Sequence, residues 1–151
     1  MCVDNVLEIT QLKSDLKNTH KMTMNDTLAS VLSNIFNSEK IGRPEVTFSI
    51  SSKLILGVLN IMKEEGYIGD FNIIKNNKGK PIKINLLGNI NKCNVIKPRF
   101  RYKINELEKY EKRYLPAKDF GFIIVSTSKG LMTNIKSREL NLGGRLIAYV
   151  Y

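Results

Sequence analysis

The feature that constrains the fold most is an amphipathic helix pattern in the stretch TMNDTLASVLSNIFNSEKIG, residues 23–42. Its apolar side chains recur at i, i+3, i+4, i+7 and i+8, which places them on one face of a helix. They are Leu28, Val31, Leu32, Ile35 and Phe36. Thr23 and Asp26 have the spacing of a capping box, and Asn25 is an alternative cap. Because such a helix must bury its apolar face, the chain has to build a layered core around it.

The residues after this helix predict a small α/β unit. Alternating apolar residues in EVTFSI (residues 45–50) indicate a half-buried strand. Ser51 and Ser52 offer a cap for a second amphipathic helix, which Gly66 ends. The strands FNII and IKINLL follow, joined by the turn NNKGK. The first half is thus predicted as α-β-α-β-β, with both helices on one face of a three-stranded sheet.

The second half has a different texture, which begins at Gly88 with the polar segment GNINKCN. Predicted elements are a basic strand NVIKPRFRYKI, a short helix INELEKYEKRYL, a strand FGFIIV, a short helix around TNIKSREL and a final strand RLIAYVY. The predicted fold class is therefore α+β with two small α/β subdomains, the second mostly β with short helices. The predicted boundaries are an N-terminal extension (residues 1–21), a first subdomain (residues 22–88) and a second subdomain (residues 89–151).

The positive charge is concentrated in the middle of the chain. The formal net charge is +10, and residues 76–118 alone hold twelve basic and three acidic residues, a local net charge of +9. Positive charge that serves only solubility need not cluster in one segment, whereas positive charge on a surface that faces a polyanion does. No apolar run approaches the roughly 18 residues of a membrane helix. The N-terminus carries Asp4 and Glu8 without a basic segment, which argues against a secretory signal or transit peptide.

No convergent set of catalytic or metal-binding residues stands out. Cys2, Cys93 and the single His20 are too far apart in sequence and too few to build a zinc site, and the cysteines are predicted to be free thiols. The stretch STSKG lacks the first glycine of a nucleophile elbow. We therefore expect a protein that is not an enzyme and has no metal, cofactor or small-molecule substrate.

The polar stretch STSKG, which consists of Ser126, Thr127, Ser128, Lys129 and Gly130, is the main candidate for binding RNA. Hydroxyls and backbone N–H groups bind phosphate and ribose 2′-OH groups, and small residues allow a close approach. A strand-to-helix loop of this kind could enter a shallow RNA minor groove. The alternative is an ordinary turn before a helix, stabilised by a Ser/Thr side chain. The residues alone leave both interpretations open.

Two further sets of residues are candidates for the same partner. Lys97, Arg99, Arg101 and Lys103 alternate with apolar residues in the predicted basic strand, where the aromatics fit a core better than a stacking role. Asn25, Ser52 and Lys53 lie at predicted helix starts, whose free N–H groups bind phosphate. Asp26 is predicted to be a cap only, since its charge repels phosphate.

Five segments together resemble the family of the eighth protein of the small ribosomal subunit. They are MNDTLASVLSNIFNSEK, SSKLILGVLNIMKEEGYIGDF, INLLGNINKCNVIKPRF, YLPAKDFGFIIVSTSKGLMT and LGGRLIAYVY, in family order from Met24 to Tyr151. The segments NKCNVIKPRF and LPAKDFGF are similar to the eukaryotic and archaeal cytosolic type, the eukaryotic S15a proteins, whereas STSKGLMT is closer to the bacterial wording. Residues 1–23 depart from the family pattern, either as a genuine extension or because Met22 or Met24 is the true start.

The resemblance implies two α/β subdomains and a function. It implies a structural protein of the cytosolic small subunit that binds a helical junction in the central domain of the rRNA, supports assembly and contacts neighbouring ribosomal proteins. It implies RNA contacts by the loop of residues 126–130, by Asn25, Ser52 and Lys53, and in the basic segment by Arg99. Two alternatives remain open at this point: a free RNA-binding regulator of translation, and a nucleic-acid-modifying enzyme.

Overall fold

The computed structural model describes residues 26–49, 52–73, 81–118 and 120–151. The predicted extension of residues 1–21 and the predicted turn of residues 76–80 lie outside these ranges, as do Thr23 and Asn25.

The first half has the predicted order of elements. They are helix α1 (Thr27–Ile41), strand β1 (Glu45–Phe48), helix α2 (Lys53–Glu64), strand β2 (Ile68–Ile73) and strand β3 (Ile82–Leu86). The strands form an antiparallel sheet in the order β1-β3-β2, so β3 is the central strand. The α-β-α-β-β prediction is therefore confirmed.

Side chains cap both helices at the predicted residues. The Asp26 carboxylate accepts hydrogen bonds from the N–H groups of Leu28 (3.1 Å) and Ala29 (3.3 Å) at the start of α1. The Ser52 hydroxyl accepts one from the N–H of Ile55 (3.2 Å) at the start of α2. Each cap satisfies N–H groups that have no partner inside the helix. The predicted roles of Asp26 and Ser52 as caps are thus confirmed, but Asp26 is itself the N-cap of α1 and not the third residue of a capping box begun by Thr23.

The second half is a five-stranded antiparallel sheet with two short helices. Its elements are β4 (Cys93–Val95), β5 (Arg101–Tyr102), a 3₁₀ turn (Ile104–Glu106), α3 (Leu107–Tyr114), β6 (Phe122–Thr127), β7 (Gly130–Thr133), α4 (Asn134–Glu139) and β8 (Gly144–Val150). The strand order is β4-β8-β6-β7, and β5 pairs with β8 further along the same edge. This agrees with a mostly β second half with short helices.

The prediction of one continuous basic strand over residues 94–104 is wrong. β4 and β5 are separate strands, and Pro98 lies between them. Proline has no N–H for a ladder, so the chain leaves the sheet at Lys97 and returns later. The N–H of Ile96 still donates to the carbonyl of Ile147 (2.9 Å). Bases and apolar groups therefore do not alternate across one strand as the sequence suggested.

The prediction of a strand-to-helix loop over residues 126–130 is also wrong. Ser126 and Thr127 belong to β6 and Gly130 belongs to β7, so the segment forms a hairpin. The short apolar stretch after Gly130 is long enough to pair as a strand, and the helical stretch begins only after Thr133.

Two buried clusters hold these elements together. The first contains residues of α1, α2, all three strands of the smaller sheet, β4, β6 and β8, so both sheets share it. The second lies on the other face of the larger sheet and includes Leu107 and Leu115 at the two ends of α3. The larger sheet is thus covered by apolar side chains on both faces.

Strand β8 contains a β-bulge opposite β6. Ile124 pairs with Ala148, whereas the next residue, Val125, pairs with Leu146. Ile147 is therefore an extra residue in β8, and its side chain and that of Ala148 both join the first buried cluster.

The shared cluster predicts that the two halves unfold together. Ile35→Ala, at a site with 0% exposure, should lower the free energy of unfolding by about 2–5 kcal/mol. Urea unfolding followed by far-UV circular dichroism and by tyrosine fluorescence should give one coincident transition. Ile41→Ala, in the same helix but 70% exposed, is the control and should change stability by less than about 0.5 kcal/mol. Separate transitions for the two probes would contradict a shared core.

Candidate nucleic-acid interface

The hairpin between β6 and β7 is a tight turn that one hydroxyl organises. Thr127 pairs with Gly130, and Ser128 and Lys129 form the connection. The Thr127 hydroxyl donates to the carbonyl of Gly130 (3.1 Å) and accepts from the N–H of Lys129 (3.2 Å). Gly130 has φ of 118°, a conformation that other residues adopt only with strain. One of the two interpretations of STSKG, a turn stabilised by a Ser/Thr side chain, is therefore correct as to conformation. The hydroxyl that stabilises the turn is the middle one of the STS sequence.

The two serines on either side of Thr127 remain available. The exposed Ser128 and the half-buried Ser126 make no side-chain hydrogen bond to any residue that the structure describes. A hydroxyl can donate one hydrogen bond and accept two. The turn conformation and the free serines are therefore compatible, because Thr127 builds the turn and its neighbours can contact a ligand.

Two arginines lie side by side next to this hairpin. Arg101 in β5 pairs directly with Arg145 in β8, and Arg145 pairs with Ser126 in β6. Directly paired residues of antiparallel strands lie on the same face, and like charges at such positions repel each other. Neither arginine forms an ion pair within the described ranges. The row Arg101–Arg145–Ser126 is therefore a cationic strip that lacks a protein counter-ion there.

Sequence reasoning missed Arg145. It stands alone in LGGRLIAYV, outside the basic segment of residues 76–118, so local charge density does not point to it. Only the pairing of β8 with β5 and β6 brings it between Arg101 and Ser126. The strip borders an open groove of about 500 Å³ lined by residues 101–103, Glu106, Gly144 and Arg145.

Helix α2 points its N-terminus toward the same end of the sheet. The backbone at Gly57 lies against the side chain of Leu131 in β7, and the Glu64 carboxylate pairs with Lys136 (3.2 Å) beyond the other end of β7. The helix therefore runs alongside β7, with Ser52 and Lys53 on the side of the hairpin turn. Ser52 already accepts from an N–H, but its hydroxyl can still donate to a ligand.

Lys97 lies at the start of helix α1, where it compensates an acid. Its ammonium is 2.9 Å from a carboxylate oxygen of Asp26. Burial alone would raise the Asp26 pKa, but hydrogen bonds from Lys97 and the N–H of Ala29, with the charges of Lys97 and Arg99, lower it below its usual value. The carboxylate thus stays ionised, and Lys97 is the least free of the predicted phosphate ligands. Asn25 lies outside the described residues.

The aromatic residues of the basic segment belong to the core, as predicted. Tyr102 is buried, and its hydroxyl is 2.7 Å from the Ser137 hydroxyl, which donates to the carbonyl of Leu142 (2.6 Å). Burial raises the pKa of Tyr102, although the hydrogen bond with Ser137 opposes the rise. Phe100 is half-buried and packs against the second cluster. Neither ring is free to stack on a base at this face.

Metal and membrane sites find no support in the described part of the chain. No group of three or more His, Cys, Asp or Glu side chains there could hold a metal ion. No helix among these residues has the length and apolarity to cross a membrane.

The candidate interface therefore consists of a hairpin with free hydroxyls, a cationic strip and a helix start, and the described residues contain no cluster that could hold a metal ion. The family model described as ribosomal protein S8 matches residues 26–151 of this chain. Members of this family are structural proteins of the small ribosomal subunit that bind rRNA. The match covers five-sixths of the sequence, so this chain belongs to the ribosomal protein S8 family.

Proposed function

We propose that the chain binds a helical junction in the central domain of the small-subunit rRNA, supports assembly of the subunit and remains in the cytosolic ribosome as a structural component. Residues 89–151 make the main contact, through the hairpin turn and the Arg101–Arg145–Ser126 row. Residues 22–88 add the start of helix α2. Neighbouring small-subunit proteins are the expected protein partners, and the eukaryotic and archaeal cytosolic type is the expected subtype.

The observation that carries this proposal is the pairing of Arg101 with Arg145. Two guanidinium groups on one face repel each other in the free protein, and their nearest strand neighbour on that face is Ser126 rather than an acid. A phosphate chain removes the repulsion and accepts bidentate hydrogen bonds from each guanidinium. The strip is thus better suited to a bound polyanion than to free solution.

The hydroxyls beside the strip favour a folded RNA over other polyanions. Ser126 and Ser128 present neutral donors and acceptors, which match ribose 2′-OH and phosphate oxygens in a wide, shallow minor groove. The buried ring of Tyr102 and the half-buried ring of Phe100, which packs against the second cluster, offer no stacking platform at this face. This composition suits recognition of backbone shape and sugar hydroxyls rather than of base sequence.

Replacing Ser126 and Ser128 together by alanine should weaken binding to a transcript of the central rRNA domain by about 1–3 kcal/mol, since each loses one polar contact to RNA. The melting temperature should hardly change, because neither hydroxyl bonds to a described residue. Filter binding and thermal unfolding measure the two quantities. Ser33→Ala, at an exposed position of α1, is the control. An affinity equal to wild type would leave the hairpin with a purely structural role.

Arg145→Ala should lower the slope of log affinity against log salt by about 1, because one phosphate contact releases fewer counterions. The stability of the free protein should stay the same or rise, since the variant removes a like-charge pair. Lys83→Ala is the matched control, because Lys83 lies in the smaller sheet and pairs with Glu45 at 2.6 Å. If both variants have the wild-type slope, the cationic strip does not contact the RNA.

A further inference from the structure

A row of four aromatic rings, which we call the aromatic row, runs across the second face of the larger sheet. It consists of Tyr114, Tyr149, Tyr151 and Phe120 in that order. Neighbouring ring centroids are 5.5, 6.1 and 6.4 Å apart, and the first two pairs are stacked, with interplanar angles of 27° and 19°. Near-parallel rings at this spacing are typical of offset stacking.

The last ring of the row is not explained by the core. Tyr114, Tyr149 and Tyr151 are half-buried and pack against the second cluster, whereas Phe120 is 50% exposed and belongs to neither buried cluster. Gly121 follows Phe120 directly, and a Cβ atom at this position would collide with the backbone of Val150 and with Tyr151. The glycine thus permits the backbone next to Phe120 to approach the end of β8 closely.

Two cations flank the row without an acidic partner among the described residues. The Arg113 guanidinium lies 5.5 Å from the Tyr114 ring centroid. Lys92 exchanges two backbone hydrogen bonds with Tyr151 (2.8 and 2.9 Å), so the two residues are cross-strand neighbours. Burial raises the pKa of Tyr149, and the nearby positive charge of Lys92 opposes the rise. Neither Arg113 nor Lys92 forms an ion pair within the ranges that the structure describes.

A groove with hydrogen-bonding groups lies beside the exposed end. Phe120 and Tyr151 line it together with Glu65, Gly66, Tyr67, Asn89 and Asn91. Asn89 already donates to the carbonyl of Gly66 (3.1 Å), whereas Asn91 is exposed and makes no side-chain hydrogen bond to a described residue. An amide and a carboxylate next to an aromatic ring are suited to the polar edge of a nucleobase rather than to its phosphate.

The aromatic row is separate from the interface that contains the hairpin. Arg145 lies near the start of β8, and Tyr151 follows the end of that strand, six residues further on. At about 3.3 Å per residue the two positions are roughly 20 Å apart. The aromatic row and the hairpin interface are therefore different surfaces of the larger sheet.

We propose that the exposed end of the aromatic row is a second RNA-binding surface, where an unpaired base of a single strand stacks on Phe120 and extends the row while Lys92 and Arg113 contact the phosphates. Aromatic rings with interspersed cations on an antiparallel sheet have the chemistry that single strands require. RNA is favoured over a protein partner because both cations beside the row lack an acidic partner among the described residues, and the one carboxylate of the groove, Glu65, can accept from the amino group of a base. The inference extends the proposed function, but it needs no helical junction and is tested with RNA that forms no base pairs.

The test uses the full-length protein and a fluorescently labelled twelve-nucleotide oligoadenylate, with affinity measured by anisotropy. Phe120→Ala should weaken binding about tenfold, because one stacked base is lost. Phe120→Tyr keeps the ring and should retain wild-type affinity. Lys92→Ala should lower the salt slope by about 1, whereas Phe120→Ala should leave it unchanged.

The Ser126→Ala, Ser128→Ala double variant separates the two surfaces. Its affinity for the oligonucleotide should equal that of the wild type, even where its affinity for the structured rRNA transcript falls. Loss of oligonucleotide binding in this variant would overturn the proposal, since the single strand would then occupy the hairpin interface.

Wild-type affinity in a folded Phe120→Ala variant would also overturn the proposal, and it is the result expected if the row serves a protein partner. Because Phe120 is outside both clusters, the variant should keep the wild-type melting temperature. Failure to bind the structured transcript, with the oligonucleotide results as expected, would reject the proposed junction contact and leave the aromatic row supported.

Discussion

The rest of the structure depends on the burial of one apolar cluster between the two helices of the first half and both sheets. Leu32, Ile35, Val58 and Met62 from the helices meet Ile124 and Ala148 from the larger sheet in this cluster. Burial of this kind is the main favourable term in folding, and its size sets how rigidly the surface residues are held. The starts of α1 and α2 are fixed relative to the hairpin because their helices are anchored here. The groups that we propose to face RNA therefore come from distant parts of the sequence but are held together by one core.

Hydrogen bonding sorts the hydroxyl groups of the protein into two kinds. The side chains of Thr127, Ser52 and Ser137 are used internally, in the hairpin turn, a helix cap and the bond to Tyr102. Ser126 and Ser128 have no such internal use within the described residues. Buried polar groups need hydrogen-bond partners within the protein, whereas exposed groups bond to water and remain free to bind a ligand. The two hairpin serines that bind RNA in our proposal are thus hydroxyls that the fold does not use for its own hydrogen bonds, whereas Ser52 both caps a helix and can donate to RNA.

The sequence was sufficient for the helices and most strands, because their apolar periodicity reflects burial directly. The α-β-α-β-β order follows from apolar spacing such as that of Leu28–Phe36. The caps follow from the polar residues just before each helix. Pairing across the sheet was not accessible in this way. The turn at Ser128 depends on a four-residue strand that follows it, and the break at Pro98 depends on how the flanking residues reach β8. Arg145 escaped notice because its role comes from neighbours 44 and 19 residues away.

The extra residue at Ile147 decides on which face of the sheet the side chains of β8 lie. Side chains of a regular strand alternate, so Arg145, Tyr149 and Tyr151 would all project to one side. The bulge at Ile147 reverses the alternation halfway along β8. Leu146, Tyr149 and Tyr151 then pack with the second cluster, whereas Arg145 points the opposite way, to the side of the helices. One inserted residue thus places Arg145 and the tyrosines Tyr149 and Tyr151 on opposite faces of the sheet, so the two surfaces that we propose for RNA face different sides of the protein.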